Sequence, residues 1–205
     1  MMTSFEKDYF VNSKVSNYQN YLTKKFDSLA KDLIEFLKIK KDDVIIDFGC
    51  GCGGLVFEFK ERGFSRVKGT DISHWAIEEG KKMFSLDNEI EYYNRNLLSQ
   101  VKDFIFLFDV LEHMPEYEIG FILDLAKKNL RKSVVIRVPV CKREGQPYVL
   151  DVSRNDKTHI QCHTRDWWIK AFEDKGYRFV EDMNLSSIYS SEGVFAGTFE
   201  IKNES

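Results

Sequence analysis

The chain has 205 residues, a length that suits one domain able to bury a sizeable core. Apolar residues make up 43% and aromatics 14%, which excludes wholesale disorder, because burial on that scale offsets the entropy of ordering. A formal charge of −3 provides no global basic field, so no nucleic-acid partner is expected.

The opening residues Met1 to Asp8 are polar and carry acids, unlike a secretory signal or a transit peptide. No apolar run approaches the length that spans a bilayer. A cytoplasmic protein without a membrane partner is expected. Cys50, Cys52, Cys141 and Cys162 then read as reduced thiols.

Residues 1–16 read as a polar, frayed or lid-like segment, and a helical pattern builds from Tyr18. Phe26, Leu29, Ala30, Leu33, Ile34 and Leu37 recur at three- and four-residue spacing on one face. Val44 to Phe48 suits a buried strand. Gly49-Cys50-Gly51-Cys52-Gly53-Gly54 is too rich in glycine for regular structure, and Leu55 to Arg62 resumes a helix that Gly63 ends. Arg66 to Thr70 reads as a second strand, and Ser73 caps a helix to about Met83. Ile90 to Tyr93 and Phe104 to Phe108 are further strands. Pro115 opens a helix with Ile119, Ile122, Leu123, Ala126 and Leu130 on one stripe. Val134 to Val138 is a fifth strand, stopped by Pro139.

A long polar segment, 140–163, follows. Thr164 caps a helix with Asp166 in its first turn, and Gly176 closes it. Arg178 to Met183 and Val194 to Ile201 have no helix between them, which implies a closing antiparallel hairpin. The expected fold is α/β: a Rossmann-like, seven-stranded, mainly parallel sheet with that hairpin at its end and helices on both faces. The expected organisation is one domain over 1–205, with a helical lid at 1–40 and an acceptor-side loop at 140–165. Ligands of such sheets sit beyond the carboxyl ends of the strands, near the topological switch point.

The glycine loop joins a strand to a helix. Its glycines permit a tight turn, let a ligand touch the backbone and leave amides free at a helix start. Gly49, Gly51 and Gly54, with Asp71 further on, also satisfy the spacing of a dinucleotide-binding loop, so an NAD-type oxidoreductase stays open on spacing alone. Asp47 tilts the choice. A carboxylate two residues before the first glycine opposes a pyrophosphate and suits a ligand bearing an ammonium there.

The stretch Val44-Ile-Ile-Asp-Phe-Gly-Cys-Gly-Cys-Gly-Gly54 resembles motif I of the class I methyltransferases, and Val67-Lys-Gly-Thr-Asp71-Ile-Ser73 resembles motif II. Asn94-Arg-Asn96-Leu97 is similar to motif III, with Asn96 where many relatives have Asp. Asp109-Val-Leu-Glu112-His113 resembles the motif IV region of the small-molecule branch. The resemblance runs from about residue 44 to the end of the chain. It implies S-adenosylmethionine as cofactor, with S-adenosylhomocysteine as its product. It implies cofactor contacts from Asp47, Gly49, Cys50, Gly51, Asp71, Ile72, Asn96, Leu97 and Phe108, with Asp71 on the ribose and Ile72 on the adenine. Tyr18, or Tyr21 beside it, would reach the cofactor carboxylate.

Methyl transfer from a sulfonium needs alignment and exclusion of water, and a base only where the nucleophile must lose a proton. His113 and His159 are the candidate catalytic residues: His113 near the methyl end of the cleft, His159 on a wall of the acceptor site. His159-x-x-Cys162-His163, with Cys141, lacks the paired spacing of a zinc site, so no metal is expected. Trp167 and Trp168 read as helix core and rim. Lys142, Arg143, Arg154, Lys157 and Arg165 read as a solvated lid, or as contacts to an anionic acceptor. The expected activity is methylation of a small-molecule acceptor. A non-catalytic cofactor-binding subunit is the remaining alternative; the intact loop glycines and Asp71 count against it. Acceptor identity and oligomeric state stay open.

Overall fold

The computed structural model describes residues 5–12, 14–16 and 21–202. Seven strands, β1 (Ile45–Phe48), β2 (Val67–Asp71), β3 (Ile90–Tyr92), β4 (Lys102–Phe108), β5 (Leu130–Pro139), β6 (Tyr177–Asp182) and β7 (Val194–Ile201), form one sheet in the order β3-β2-β1-β4-β5-β7-β6. The first five are parallel, and β7 runs antiparallel between β5 and β6. This is the Rossmann-like sheet with the closing hairpin that the sequence implies. The chain order reverses between β1 and β4, so the switch-point crevice opens there.

Both faces of the sheet are covered. The helices α2 (Asp27–Leu37), α3 (Gly54–Glu61) and α4 (His74–Phe84) lie on one face, and α5 (Glu116–Lys127) and α7 (Arg165–Asp174) on the other. The apolar run of β4 shows why. Phe104 and Phe106 pack with Leu33, Val56 and Phe59, while Ile105 and Leu107 pack with Ile119, Ile122 and Phe172. Successive side chains of a strand point to opposite faces, so a strand apolar at every position is buried on both. Each fully buried Phe or Leu contributes about 2 kcal/mol of transfer free energy.

The helix caps fall where the sequence places them. Ser73 Oγ accepts the Ala76 amide at 3.0 Å, Thr164 Oγ1 accepts the Trp167 amide at 3.2 Å, and Gly176 takes a left-handed φ of 84°.

Three segments differ from their sequence reading. The regular part of the N-terminal helix begins at Asp27, after a 3-10 turn at Tyr21–Thr23. The strand β5 starts at Leu130 rather than Val134, because Arg131 and Lys132 break its apolar pattern and Lys132 is engaged by Asp43 at 2.6 Å. The opening segment is not simply a polar fringe. A short helix α1 (Lys7–Val11) turns Tyr9 and Phe10 inward against Cys52 and Ala76, at 7% and 4% exposure. The 140–163 segment likewise folds back on the body, with a short helix α6 (Asp151–Asn155) and buried Tyr148, Ser153 and Asp156.

Candidate active site

The site begins where β1 ends. Gly49 and Gly51 adopt φ of 86° and 55°, a region that side-chain-bearing residues rarely enter. A Cβ on Gly49 would run into Val110 Cγ2, and one on Gly51 would lie 2.7 Å from the Tyr21 hydroxyl. The Gly49 and Cys50 amides donate to the Thr70 carbonyl at 2.8 and 3.1 Å. The Gly51 amide donates to Asp71 Oδ2 at 2.8 Å, and the Ser73 amide to Asp71 Oδ1 at 2.8 Å. Asp71 therefore ties the glycine loop to the start of α4. Burial raises its pKa, opposed by the amides of Ser73, Gly51 and Ile72.

A cavity of about 180 Å³ opens against this loop. Asp47, Gly49, Cys50, Asp71, Ile72 and Phe108 line it, together with Tyr21 and Tyr93. Gly51 supplies its amide to Asp71 and abuts Tyr21 without forming part of the lining. Asn96 and Leu97 are not brought to the cavity. The 3-10 turn Arg95–Ser99 leaves Asn96 exposed, with its amide on Asn94 Oδ1 at 3.0 Å, and sinks Leu97 into the core under α5. Tyr93 occupies the wall in their place. Tyr18 lies outside the described residues. Asp47 is 5% exposed, and its pKa rises to about 7 through burial and the neighbouring Asp71, against the pull of Lys24.

A second cavity, of about 530 Å³, adjoins the first and shares Tyr9, Lys24, Asp109, His113 and Arg137 with it. Arg137 on β5 grips Asp109 after β4 with two hydrogen bonds, Nε to Oδ1 at 2.8 Å and a guanidinium nitrogen to Oδ2. Parallel pairing of Phe108 with Arg137 brings them together. Burial alone would raise the Asp109 pKa; the Arg137 charge and hydrogen bonds hold it below the usual carboxylate range. Burial and the Arg137 charge lower the Lys24 pKa. Sequence reading missed Arg137, although one charge inside the apolar run Val134 to Val138 is a signal. Lys24, beside Lys25 in a polar stretch, carries none.

Glu112 and His113 occupy the 3-10 turn Leu111–His113 after β4, and His159 enters from the loop after α6. The Glu112 carbonyl accepts the Ile160 and Gln161 amides at 2.8 and 3.1 Å, which docks that loop onto the turn. The two imidazole centroids stand 4.7 Å apart. Burial and the neighbouring His159 push His113 down to about 4, and burial lowers His159. Burial and the Asp109 charge push Glu112 well up.

The other residues singled out in this region lie elsewhere. His163 bonds Glu144 at 2.9 Å and stacks on Trp167, and the Cys162 thiol donates to the Gln146 carbonyl. Trp168 is fully buried in the core. None of Lys142, Arg143, Arg154, Lys157 and Arg165 lines the second cavity; Lys142, Arg154 and Arg165 pair with Glu192, Asp151 and Asp182.

A parallel sheet in this order, with a glycine loop and an acid after each of its first two strands, defines the class I methyltransferase fold. The chain belongs to the methyltransferase-domain family, whose model matches residues 18–182. It is 30% identical over 104 residues to the ribosomal protein L11 methyltransferase of Thermotoga neapolitana. That match takes in 49% of this chain and only 39% of the relative, so the chain spans well under half of the curated relatives it matches. Among solved structures, a Pyrococcus horikoshii OT3 protein superimposes with a TM-score of 0.68 at 14% identity, covering 97% of this chain and 100% of that one. Magnesium protoporphyrin IX methyltransferase of Synechocystis PCC 6803, solved with bound SAH, gives a TM-score of 0.60 at 16% identity, covering 86% and 81%. At such identities the likeness is one of fold. No helix among the described residues is long and apolar enough to cross a membrane.

Proposed function

We propose that the protein transfers the methyl group of S-adenosylmethionine to a small organic acceptor held in the second cavity. One observation carries the reading: two cavities meet at His113, Asp109 and Arg137, one against the glycine loop and one beyond it. The residues of the first cavity fit the cofactor. Two buried carboxylates, Asp47 and Asp71, favour a cationic ligand over a pyrophosphate, and Ile72, Phe48 and Tyr93 offer apolar surface for a base. The Asp71 oxygens accept backbone amides, Gly51 on Oδ2 and Ser73 on Oδ1, and a carboxylate has lone pairs to spare for a ribose hydroxyl. Asp47 would receive the ammonium end, and Gly49 and Cys50 would press their backbone against the ligand. S-adenosylmethionine supplies a methyl group that is already activated, so the protein's part is alignment and dryness.

The acceptor side favours a small molecule. Phe5, Tyr9 and Phe10 add aromatic wall to the first cavity, which narrows the approach to a size that suits a small molecule. The cations facing the acceptor are Lys24 and Arg137, so an anionic acceptor would meet these rather than Arg143 or Arg154. His113 and His159 are neutral at physiological pH and stand where an acceptor proton would leave.

The test is calorimetric titration with S-adenosylhomocysteine, with NAD as control and Asp71→Ala alongside. An assay of S-adenosylhomocysteine release over a panel of small hydroxylated and amino acceptors follows. Micromolar binding lost in the variant, with release driven by one acceptor class, is expected. Binding of NAD instead, or release only with protein or RNA, overturns the reading.

A further inference from the structure

The acceptor cavity contains three electron-pair donors that the methyl-transfer reading does not use together. A carboxylate oxygen of Glu112 and one ring nitrogen each from His113 and His159 lie within 4.8 Å of one another. Glu112 is 1% exposed, and its Oε2 has no hydrogen-bond partner among the described residues. Leaving a buried carboxylate oxygen unpartnered costs free energy that a bound ligand would recover.

Hydrogen bonding fixes both imidazole tautomers. Thr158 Oγ1 donates its only proton to Asp156 Oδ1 at 2.6 Å. His113 Nδ1 lies 3.0 Å from that hydroxyl oxygen and 3.2 Å from the Thr158 carbonyl, so it carries the hydrogen and donates. His159 Nδ1 lies 3.0 Å from the Ser153 carbonyl, which can only accept, so it too carries the hydrogen. Both Nε2 atoms are therefore left with lone pairs. The Tyr9 hydroxyl approaches His113 Nε2 only to 3.5 Å, and His159 Nε2 is 3.8 Å from Asp156 Oδ2. A histidine whose far nitrogen donates to a carbonyl, or to a hydroxyl backed by a carboxylate, is the arrangement that orients metal ligands.

We propose that Glu112, His113 and His159 bind a divalent first-row transition metal ion in the wall of the acceptor cavity, with open positions facing the acceptor. Two imidazoles and one carboxylate select manganese, iron, cobalt or zinc over magnesium or calcium. Metal–ligand bonds of about 2.1 Å put ligand atoms roughly 3–3.5 Å apart, so the cluster closes by about an ångström on binding. Asp109, Glu112, Asp156, Arg137 and Lys24 face one another at this end of the cavity. The sequence expectation of no metal weighed His159, Cys162 and His163 with Cys141; the grouping seen here keeps His159, leaves the others out and adds Glu112 and His113.

Resting on the methyl-transfer reading, the site also names the acceptor class, a hydroxyl compound methylated on oxygen. The ion binds the hydroxyl oxygen and acidifies it, and the O–H proton passes to solvent. The retained pair forms the new C–O bond to the methyl carbon while the C–S pair stays on sulfur. The products are a methyl ether, S-adenosylhomocysteine and one proton.

The experiment titrates chelator-stripped protein with Mn2+ by electron paramagnetic resonance and with Co2+ by visible absorption, with Mg2+ as control. One tightly bound ion per chain is expected, weakened about 100-fold in Glu112→Gln and His159→Ala, about tenfold in the positioning variant Thr158→Val, and unchanged in His163→Ala. No stoichiometric Mn2+ or Co2+ binding, or binding unaffected by Glu112→Gln and His159→Ala, overturns the site. Should either of those variants fail to unfold cooperatively, Thr158→Val decides: wild-type affinity there overturns it. S-adenosylhomocysteine titrations of the same proteins separate the two readings. In the wild-type protein, absent metal binding with intact S-adenosylhomocysteine binding sinks only the metal site, and the converse sinks only the cofactor reading.

Discussion

The two halves of the cleft are built in different ways. The glycine-loop half draws on the carboxyl ends of strands and what directly follows them: Asp47 in β1 and the loop after it, Asp71 ending β2 with Ile72 next, and Phe108 ending β4. Its principal bonds join these neighbouring crossovers, such as the Gly51 amide to Asp71. The acceptor half is assembled across the whole chain, from Tyr9 in α1, His113 after β4, Arg137 on β5 and His159 beyond α6. A half made of crossover connections keeps its geometry wherever the sheet forms. A half made of distant pieces can change its acceptor while the sheet stays as it is.

Four perturbations would break or sharpen that contrast. The largest effect is expected from Arg137→Met, which strands the Asp109 carboxylate in a partly buried site. Urea denaturation should show a loss of about 3–5 kcal/mol, and Arg137→Met with Asp109→Leu should restore much of it. A loss below about 1 kcal/mol would mean that the pair is solvent-screened and does not hold the halves together.

Next comes Asp71→Ala, expected to weaken S-adenosylhomocysteine binding about 100-fold, or roughly 3 kcal/mol, in calorimetry. The loop loses its anchor along with its ribose contact, so stability should fall too. Gly51→Ala should cost about 2 kcal/mol by thermal unfolding, from the left-handed backbone and the contact with Tyr21. If instead this variant proves neutral, the loop relaxes more freely than the contrast allows.

The smallest effect is the pH dependence of Asp47→Asn. Asp47 titrates at about 7 in the folded chain against 3.8 unfolded, so the folded state resists its ionisation. Below about pH 4 both states are protonated and the carboxyl costs nothing. Between pH 4 and 7 stability falls as pH rises, and above 7 the cost is complete. Asp47→Asn should therefore raise the unfolding midpoint at pH 8, leave it unchanged at pH 4, and weaken S-adenosylhomocysteine binding. A gain equal at both pH values would show that the carboxylate charge is not its source.

Much of the fold was legible because its signals are local. The strand at Phe104 to Phe108 is apolar at every position, and Ser73 and Thr164 are cap residues standing directly before their helices. The differences fall where a local pattern is overridden. Asn94-Arg-Asn96-Leu97 has the look of a cofactor motif, but the 3-10 turn sends Leu97 into the core and gives the wall to Tyr93. Tyr9 and Phe10 sit among polar neighbours in a short segment, too brief to show a period, yet they are buried.

By itself, the sequence determined the alternation of strands and helices, the glycine loop with its two acids, and hence the family. Those features rest on periodicity, caps and backbone freedom, which act over a few residues. Only the tertiary structure decided what stands opposite the glycine loop. Tyr9 approaches His113 across 104 positions of chain, and His113 meets the Thr158 hydroxyl across 45. Which side chains meet over such distances is set by how helices and loops pack on the sheet, and no local pattern encodes it.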